Sequence, residues 1–129
     1  MEALDELKYT KSHEWVKING TIATCGITYY AQSELSDIVY LELHPVGTEV
    51  EKGKSFGTIE AVKAVSDMYA PISGKIIEIN KNVIDAPNLV NEDPYGKGWM
   101  IKIEMNTPEE INEFLTSEEY LKSIVDEHK

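Results

Sequence analysis

A chain of 129 residues with 42% hydrophobic content can bury a core of its own, which excludes a wholly disordered segment and predicts one domain. Its formal net charge of −11, from 23 acidic and 12 basic residues, argues against nucleic-acid phosphates and anionic membrane surfaces as partners. It suits basic protein surfaces, or simply solubility, and the single cysteine leaves no internal disulfide and no cysteine-rich zinc site.

Residues 1–10 are acidic and lack a basic-then-apolar export pattern, and no apolar run approaches the ~20 residues of a membrane span. A reducing interior, the cytoplasm, is the expected compartment. Residues 14–18 and 21–25 read as short strands joined by Asn19-Gly20, a dipeptide suited to the positive φ angles of a tight hairpin. Cys25 closes the second strand and is expected to pack rather than react. Residues 28–36 read as a short helix capped by Thr28, and Ile38–Leu43 as a strand stopped by Pro45 and Gly47.

Strand-like runs at 56–62 and Val65–Tyr69 flank Lys63, and the turn-forming stretch 70–74 leads into another run at 75–79. Residues 85–91 include Pro87 and read as a loop with room for one turn of helix, and Asp93-Pro94-Tyr95-Gly96 reads as a turn. Residues 99–105 alternate, with Trp99, Ile101, Ile103 and Met105 on one face and Lys102 and Glu104 on the other. Thr107-Pro108-Glu109-Glu110 has the cap, proline and acid of a helix start, ahead of Ile111, Phe114 and Leu115. Thr116 and Glu119 repeat the capping pattern before a second helix whose apolar face is Leu121, Ile124 and Val125. The sum is a β-rich body of about seven short strands edged by helices, without internal repeats.

Chemical candidates are few. His13, His44 and His128 form no ligand spacing with one another, with Cys25 or with a carboxylate, and there is no P-loop, GxGxxG or GxSxG motif. The histidines are read as structural and the chain as a non-enzyme. Lys63 is a lone cation among Ala61, Val62, Ala64 and Val65, small enough neighbours for another protein's active site to receive it. The residues alone favour the plainer reading, a solvated charge on a β surface. No Gly, Pro or Asn-Gly beside it marks a hairpin apex, and residues 60–65 could form a helical turn.

The segments YTKSHEWV, GITYYAQSELSDIVYLEL, EAVKAVSDMYAPISGKIIEIN and LVNEDPYGKGWMIKI together resemble the H-protein family of the glycine cleavage system, in order, from about Tyr9 to about Tyr120. That resemblance implies a mainly β fold, a lipoyl-domain-like flattened barrel-sandwich hybrid with a short internal helix and C-terminal helices. It implies a single lipoyl-carrier domain over 1–129, with a core at about 8–106 and the helices at 107–127. Lys63 would sit at a hairpin apex and hold lipoic acid in amide linkage. The implied role is a carrier that takes the aminomethyl group of glycine from the pyridoxal-phosphate-dependent glycine decarboxylase (P protein) to the tetrahydrofolate-dependent aminomethyltransferase (T protein). Dihydrolipoyl dehydrogenase (L protein) then reoxidises the arm, and a lipoate ligase or a lipoyl/octanoyl transferase attaches it.

Ser12, Glu14 and Asp67 match family residues that line a cleft shielding the loaded arm. There the two carboxylates attract an ammonium and Ser12 offers a hydrogen bond. Pairing in a half-exposed cleft is worth ~1 kcal/mol, and docking four methylenes adds roughly 3 kcal/mol. On the residues alone, Glu14 and Asp67 read just as well as solvated surface acids. Two departures leave the acceptor amine intact: Ala61 where many relatives have Ser, and Ser36 where many have Gly. Val62 and Ala64 stand where a biotin acceptor normally has methionines. An alternative role within the resemblance is a lipoate relay that donates its lipoyl group to other domains.

Overall fold

The chain's structure, a computed structural model, describes residues 3–127; His128 lies outside them. In chain order the strands are β1 (Lys8–Tyr9), β2 (Glu14–Asn19), β3 (Ile22–Ile27), β4 (Ile38–Leu43), β5 (Glu49–Val50), β6 (Ser55–Ala61), β7 (Val65–Tyr69), β8 (Gly74–Ile79) and β9 (Ile101–Met105). Among the described residues these form a six-stranded sheet, ordered β1-β2-β3-β9-β8-β5, and a three-stranded sheet, ordered β4-β6-β7. Every pairing is antiparallel. Val16, Cys25, Ile101 and Ile103 of the larger sheet pack against Leu41, Phe56, Ile59 and Met68 of the smaller, which is the flattened barrel-sandwich arrangement expected.

The β2–β3 hairpin forms where the sequence predicts it, with its tip one residue later. Asn19 pairs with Ile22, so Gly20 and Thr21 make the turn and Gly20 takes the positive φ, +64°. Keeping β-branched Ile22 in the ladder leaves one glycine to supply the left-handed angle. Thr28 caps α1 (Tyr29–Leu35) as predicted, its Oγ1 accepting from Ala31 N at 3.2 Å.

α1 ends on Ser36 at φ +65°, ψ −144°, close to a region that glycine alone occupies without strain. Asn91 pins the turn: its Nδ2 donates to the Ser36 carbonyl at 2.7 Å, and its Oδ1 accepts from Ile38 N at 3.0 Å. The Ser36 side chain is exposed, so little is lost by removing it. Ser36→Gly is expected to stabilise the fold by about 1 kcal/mol, strain relief outweighing the entropy of an added glycine. A thermal melt with an unchanged or lower midpoint would mean that the Asn91 clamp, not the dihedral, governs this turn.

Later elements depart from the sequence reading in several places. The helical turn allowed for at 85–91 forms as α3 (Asn88–Glu92), and a short helix that the sequence did not mark, α2 (Lys81–Asp85), precedes it across Ala86 and Pro87. Asn80 starts α2 by accepting from Asn82 N at 3.1 Å while its amide donates to the carbonyls of Lys97 and Trp99. After the turn at 93–96, β9 begins at Ile101 rather than Trp99, with Ile101, Ile103 and Met105 buried as the alternation requires. The first C-terminal helix is a 3-10 helix (Pro108–Glu113), and Thr107 makes no side-chain cap. Glu110, the acid that would complete that cap, instead accepts from Ser73 N at 2.7 Å and Ser73 Oγ at 2.9 Å.

The second capping box closes as predicted. Thr116 N donates to Glu119 Oε1 at 2.9 Å and Glu119 N donates to Thr116 Oγ1 at 3.2 Å, opening α4 (Ser117–Glu127). Its buried face is Tyr120 and Ile124, while Val125, assigned to that face from sequence, is 60% exposed. Tyr120 stacks on Tyr9 with centroids 4.8 Å apart, in a second cluster with Leu7 and Trp15 on the outer side of β2. Burying Trp15 there contributes roughly 3 kcal/mol, and its Nε1 donates to Pro94 O at 2.9 Å. No helix among the described residues is long and apolar enough to cross a membrane.

Candidate functional site

Lys63 stands on a hairpin tip. Glu60 pairs with Val65, and Ala61 N donates to Ala64 O at 2.8 Å, so residues 62–64 turn the chain between β6 and β7. The helical-turn alternative is thereby overturned. Because β6 is held between β4 and β7, its register is imposed by both neighbours, and the tip needs no glycine or proline. Val62 N donates to Asp37 O at 3.1 Å, tying the tip to the start of β4. Lys63 is exposed, and Val62 and Val65 are 71% and 66% exposed, so the lysine rises from an apolar collar open to another protein.

Down the same hairpin lies a cleft of about 280 Å³. β2 alternates, with Val16 and Ile18 turned to the inter-sheet core and Trp15 to the outer cluster. Glu14 is in phase with Val16 and Ile18, so it enters the interior where the two sheets part. Ile27, Leu35, Ile59 and Met68 give the cleft apolar walls, and Ser12, Glu14, Ser66 and Asp67 give it polar ones. The three residues matched by resemblance therefore line one cleft. Asp67 follows Lys63 by four residues, the first of them still in the turn, so the chain between them spans at most roughly 13 Å at ~3.3 Å each.

Glu14 is 2% exposed, which overturns its reading as a solvated surface acid. Its Oε1 accepts from Thr10 Oγ1 at 2.7 Å and from Ser12 Oγ at 2.6 Å. Burial outweighs these bonds and pushes its carboxyl up from the ordinary 4.5 to about 7. Asp67 differs: it is exposed at the rim, opposite Thr58 in the ladder, and remains a solvated acid.

Sequence reasoning missed Ser66 and the α1 wall of Tyr30, Ala31, Glu34 and Leu35, although Tyr30 with Glu34 and Ala31 with Leu35 keep the i, i+4 spacing of one helix face. It read His13 as structural, and the contacts agree. His13 takes φ +73°, and its Nδ1 lies 2.8 Å from the Tyr120 hydroxyl and its Nε2 3.4 Å from Glu127. Burial holds the imidazole below its usual pKa, opposed by the Glu127 carboxylate. Cys25 is fully buried and its thiol is pushed up by that burial, which suits packing.

A second cleft, about 330 Å³, lies behind Ser12 and Glu14 and shares them with the first. Thr10, Pro71, Phe114 and Leu115 line it, and Lys52 and Glu113, also in its walls, form an ion pair. No group of three or more His, Cys, Asp or Glu residues among the described residues could hold a metal ion.

Comparison with known proteins bears on what this arrangement does. A family model described as glycine cleavage H-protein matches residues 7–127. The glycine cleavage system H protein of Carboxydothermus hydrogenoformans is 54% identical over 122 residues, 95% of this chain and 94% of that protein. The crystal structure of a glycine cleavage system H protein from Mycobacterium marinum superposes with a TM-score of 0.85 at 37% identity, covering 92% of this chain and 95% of that one.

Proposed function

Because the chain belongs to the glycine cleavage H-protein family, whose function is lipoyl carriage, we propose that Lys63 is its lipoyl attachment residue and that it works as a non-enzymatic carrier of one domain. The observation that carries this reading is an exposed lysine on a hairpin tip, with a cleft further down the same hairpin that contains a buried acid. Lipoate held on Lys63 would supply a disulfide, the redox-active group on which an aminomethyl cargo is carried.

The chain's own residues do the rest. Lys63 tethers the arm, and loss of its charge on acylation leaves a neutral amide above Val62 and Val65. Ile27, Leu35, Ile59 and Met68 bury the methylenes of a docked arm, each worth ~0.8 kcal/mol. Glu14 supplies a carboxylate to a cationic cargo, Thr10 and Ser12 hold that carboxylate in one orientation, and Asp67 draws the cation to the mouth. Exclusion of water by the apolar walls slows hydrolysis of the cargo.

The partners of this role are the P, T and L proteins of the glycine cleavage system and the ligase or transferase that loads Lys63, met in the cytoplasm. The surplus of acids, −11 overall, favours brief, salt-sensitive visits to basic surfaces. Incubation with a lipoate ligase followed by intact-mass analysis tests the assignment. One lipoyl increment is expected, mapped by peptide analysis to Lys63. No increment, or one at another lysine, overturns it. Deletion should abolish glycine oxidation while 2-oxoacid dehydrogenases stay lipoylated; the opposite pattern would make the chain a lipoate relay.

A further inference from the structure

We propose that Tyr120 is a positioning residue that braces, through its hydroxyl, the His13 and Thr28 side chains at the junction of the two walls of the cleft. This rests on the carrier reading above. Tyr120 belongs to α4, is fully buried and does not line the cleft. Its ring is fixed by the stack on Tyr9, with centroids 4.8 Å apart and planes 9° from parallel. Its hydroxyl lies 2.8 Å from His13 Nδ1 and 2.7 Å from Thr28 Oγ1.

Those two contacts lie where the two walls meet, beside the backbone bond from Thr28 N to the His13 carbonyl at 3.1 Å and the His13–Tyr30 ring contact at 4.9 Å. His13 sits between Ser12 and Glu14, the polar wall. Thr28 caps α1, whose Tyr30, Ala31, Glu34 and Leu35 form the facing wall. The hydrogen bonds run in one direction. Nε2 faces the Glu127 carboxylate at 3.4 Å and carries the imidazole proton, so Nδ1 accepts from the Tyr120 hydroxyl. Tyr120 has only that one proton, so Thr28 Oγ1, while accepting from Ala31 N, donates to the Tyr120 oxygen. A phenol is the one side chain here that can accept from one wall and donate to the other from a rigid ring. The C-terminal helix, remote from Lys63, thus acts on the cargo through His13 and Thr28.

Tyr120→Phe keeps the stack and removes both bonds. In the aminomethylated protein it is expected to speed hydrolytic release of the cargo about tenfold, the weight of one or two lost hydrogen bonds. In the unmodified protein it should shift the His13 ring-nitrogen resonances in NMR, as Nδ1 loses its donor. Lipoylation of Lys63 should proceed at the wild-type rate. Ile76→Val, a core change on β8 outside the cleft, is the stability control and should alter neither release nor the His13 signals. If Tyr120→Phe fails to fold, Thr28→Ser should retain the wild-type release rate and Thr28→Val should lose it. Wild-type release in Tyr120→Phe, with release sped by Glu14→Gln, overturns the role of Tyr120 alone. Wild-type release in both variants overturns the role of Tyr120 and the use of this cleft by the arm together.

Discussion

Glu14→Gln is expected to make the unloaded protein more stable above neutral pH and the loaded protein unable to keep its cargo. The folded carboxyl titrates at about 7 because it is buried, against 4.5 for the free side chain. Between those values the folded chain keeps a proton that the unfolded chain has released. Stability therefore falls as pH rises from 4.5 to about 7 and stays at the lower level above that. The gap corresponds to roughly 3 kcal/mol. Glutamine never ionises, so chemical unfolding of the variant should lose this slope, exceed wild type near pH ~8 and approach it at acid pH.

A cationic cargo reverses the preference. An ammonium beside Glu14 compensates the charge that burial penalises, so loading should raise the melting point of wild type well above neutral pH and much less in acid. Depriving one member of a buried pair of its partner costs about 3 kcal/mol, so release from Glu14→Gln should be about a hundredfold faster. The ~1 kcal/mol suited to a half-exposed cleft is too small here because Glu14 is 2% exposed. A flat stability profile in wild type, or unchanged release in the variant, would remove Glu14 from this role.

The largest purely structural effect is expected at Gly74. A Cβ there would lie 2.0 Å from the Glu104 carbonyl oxygen and 2.7 Å from Ile103 Cγ2. Gly74 pairs with Met105 on one side and Val50 on the other, so neither backbone can retreat without opening the β8–β9 ladder. Gly74→Ala should cost about 4 kcal/mol, at the upper end of overpacking effects. Gly47→Ala is the contrast: it has open space but φ +95°, and should cost only ~1 kcal/mol. Equal losses in the two variants on urea unfolding would show that β8 yields to the extra methyl group.

The residues that fix local angles were readable in the chain. Gly20, Thr28 and the Thr116–Glu119 box each act within a few positions of themselves, and each does in space what its sequence neighbourhood implies. Glu110 was not readable, because its partner Ser73 lies on a turn 37 residues away and outcompetes Thr107 for the same carboxylate. The hairpin at Lys63 escaped for the same reason. Nothing next to the lysine bends the chain; the bend comes from the register that β4 and β7 impose on β6. For Lys63 and for the trio Ser12, Glu14 and Asp67, family resemblance supplied what local pattern did not. A signal for Glu14 was present all the same. It shares the period-two phase of Val16 and Ile18, and a carboxylate in step with two core residues is a candidate for burial. For Tyr120 no such signal exists, since its partners are 107 and 92 residues distant.

The valine collar around Lys63 gives the protein two reaches. Its acids act over a Debye length of about 10 Å in moderate salt and orient an approaching basic surface before anything touches. The fingertip acts only on contact, and the acylation proposed for Lys63 would neutralise its cation and make the whole chain a unit more negative than −11. Salt should therefore tune how often visitors arrive, and the greasy tip how long they linger, so the two can be adjusted independently.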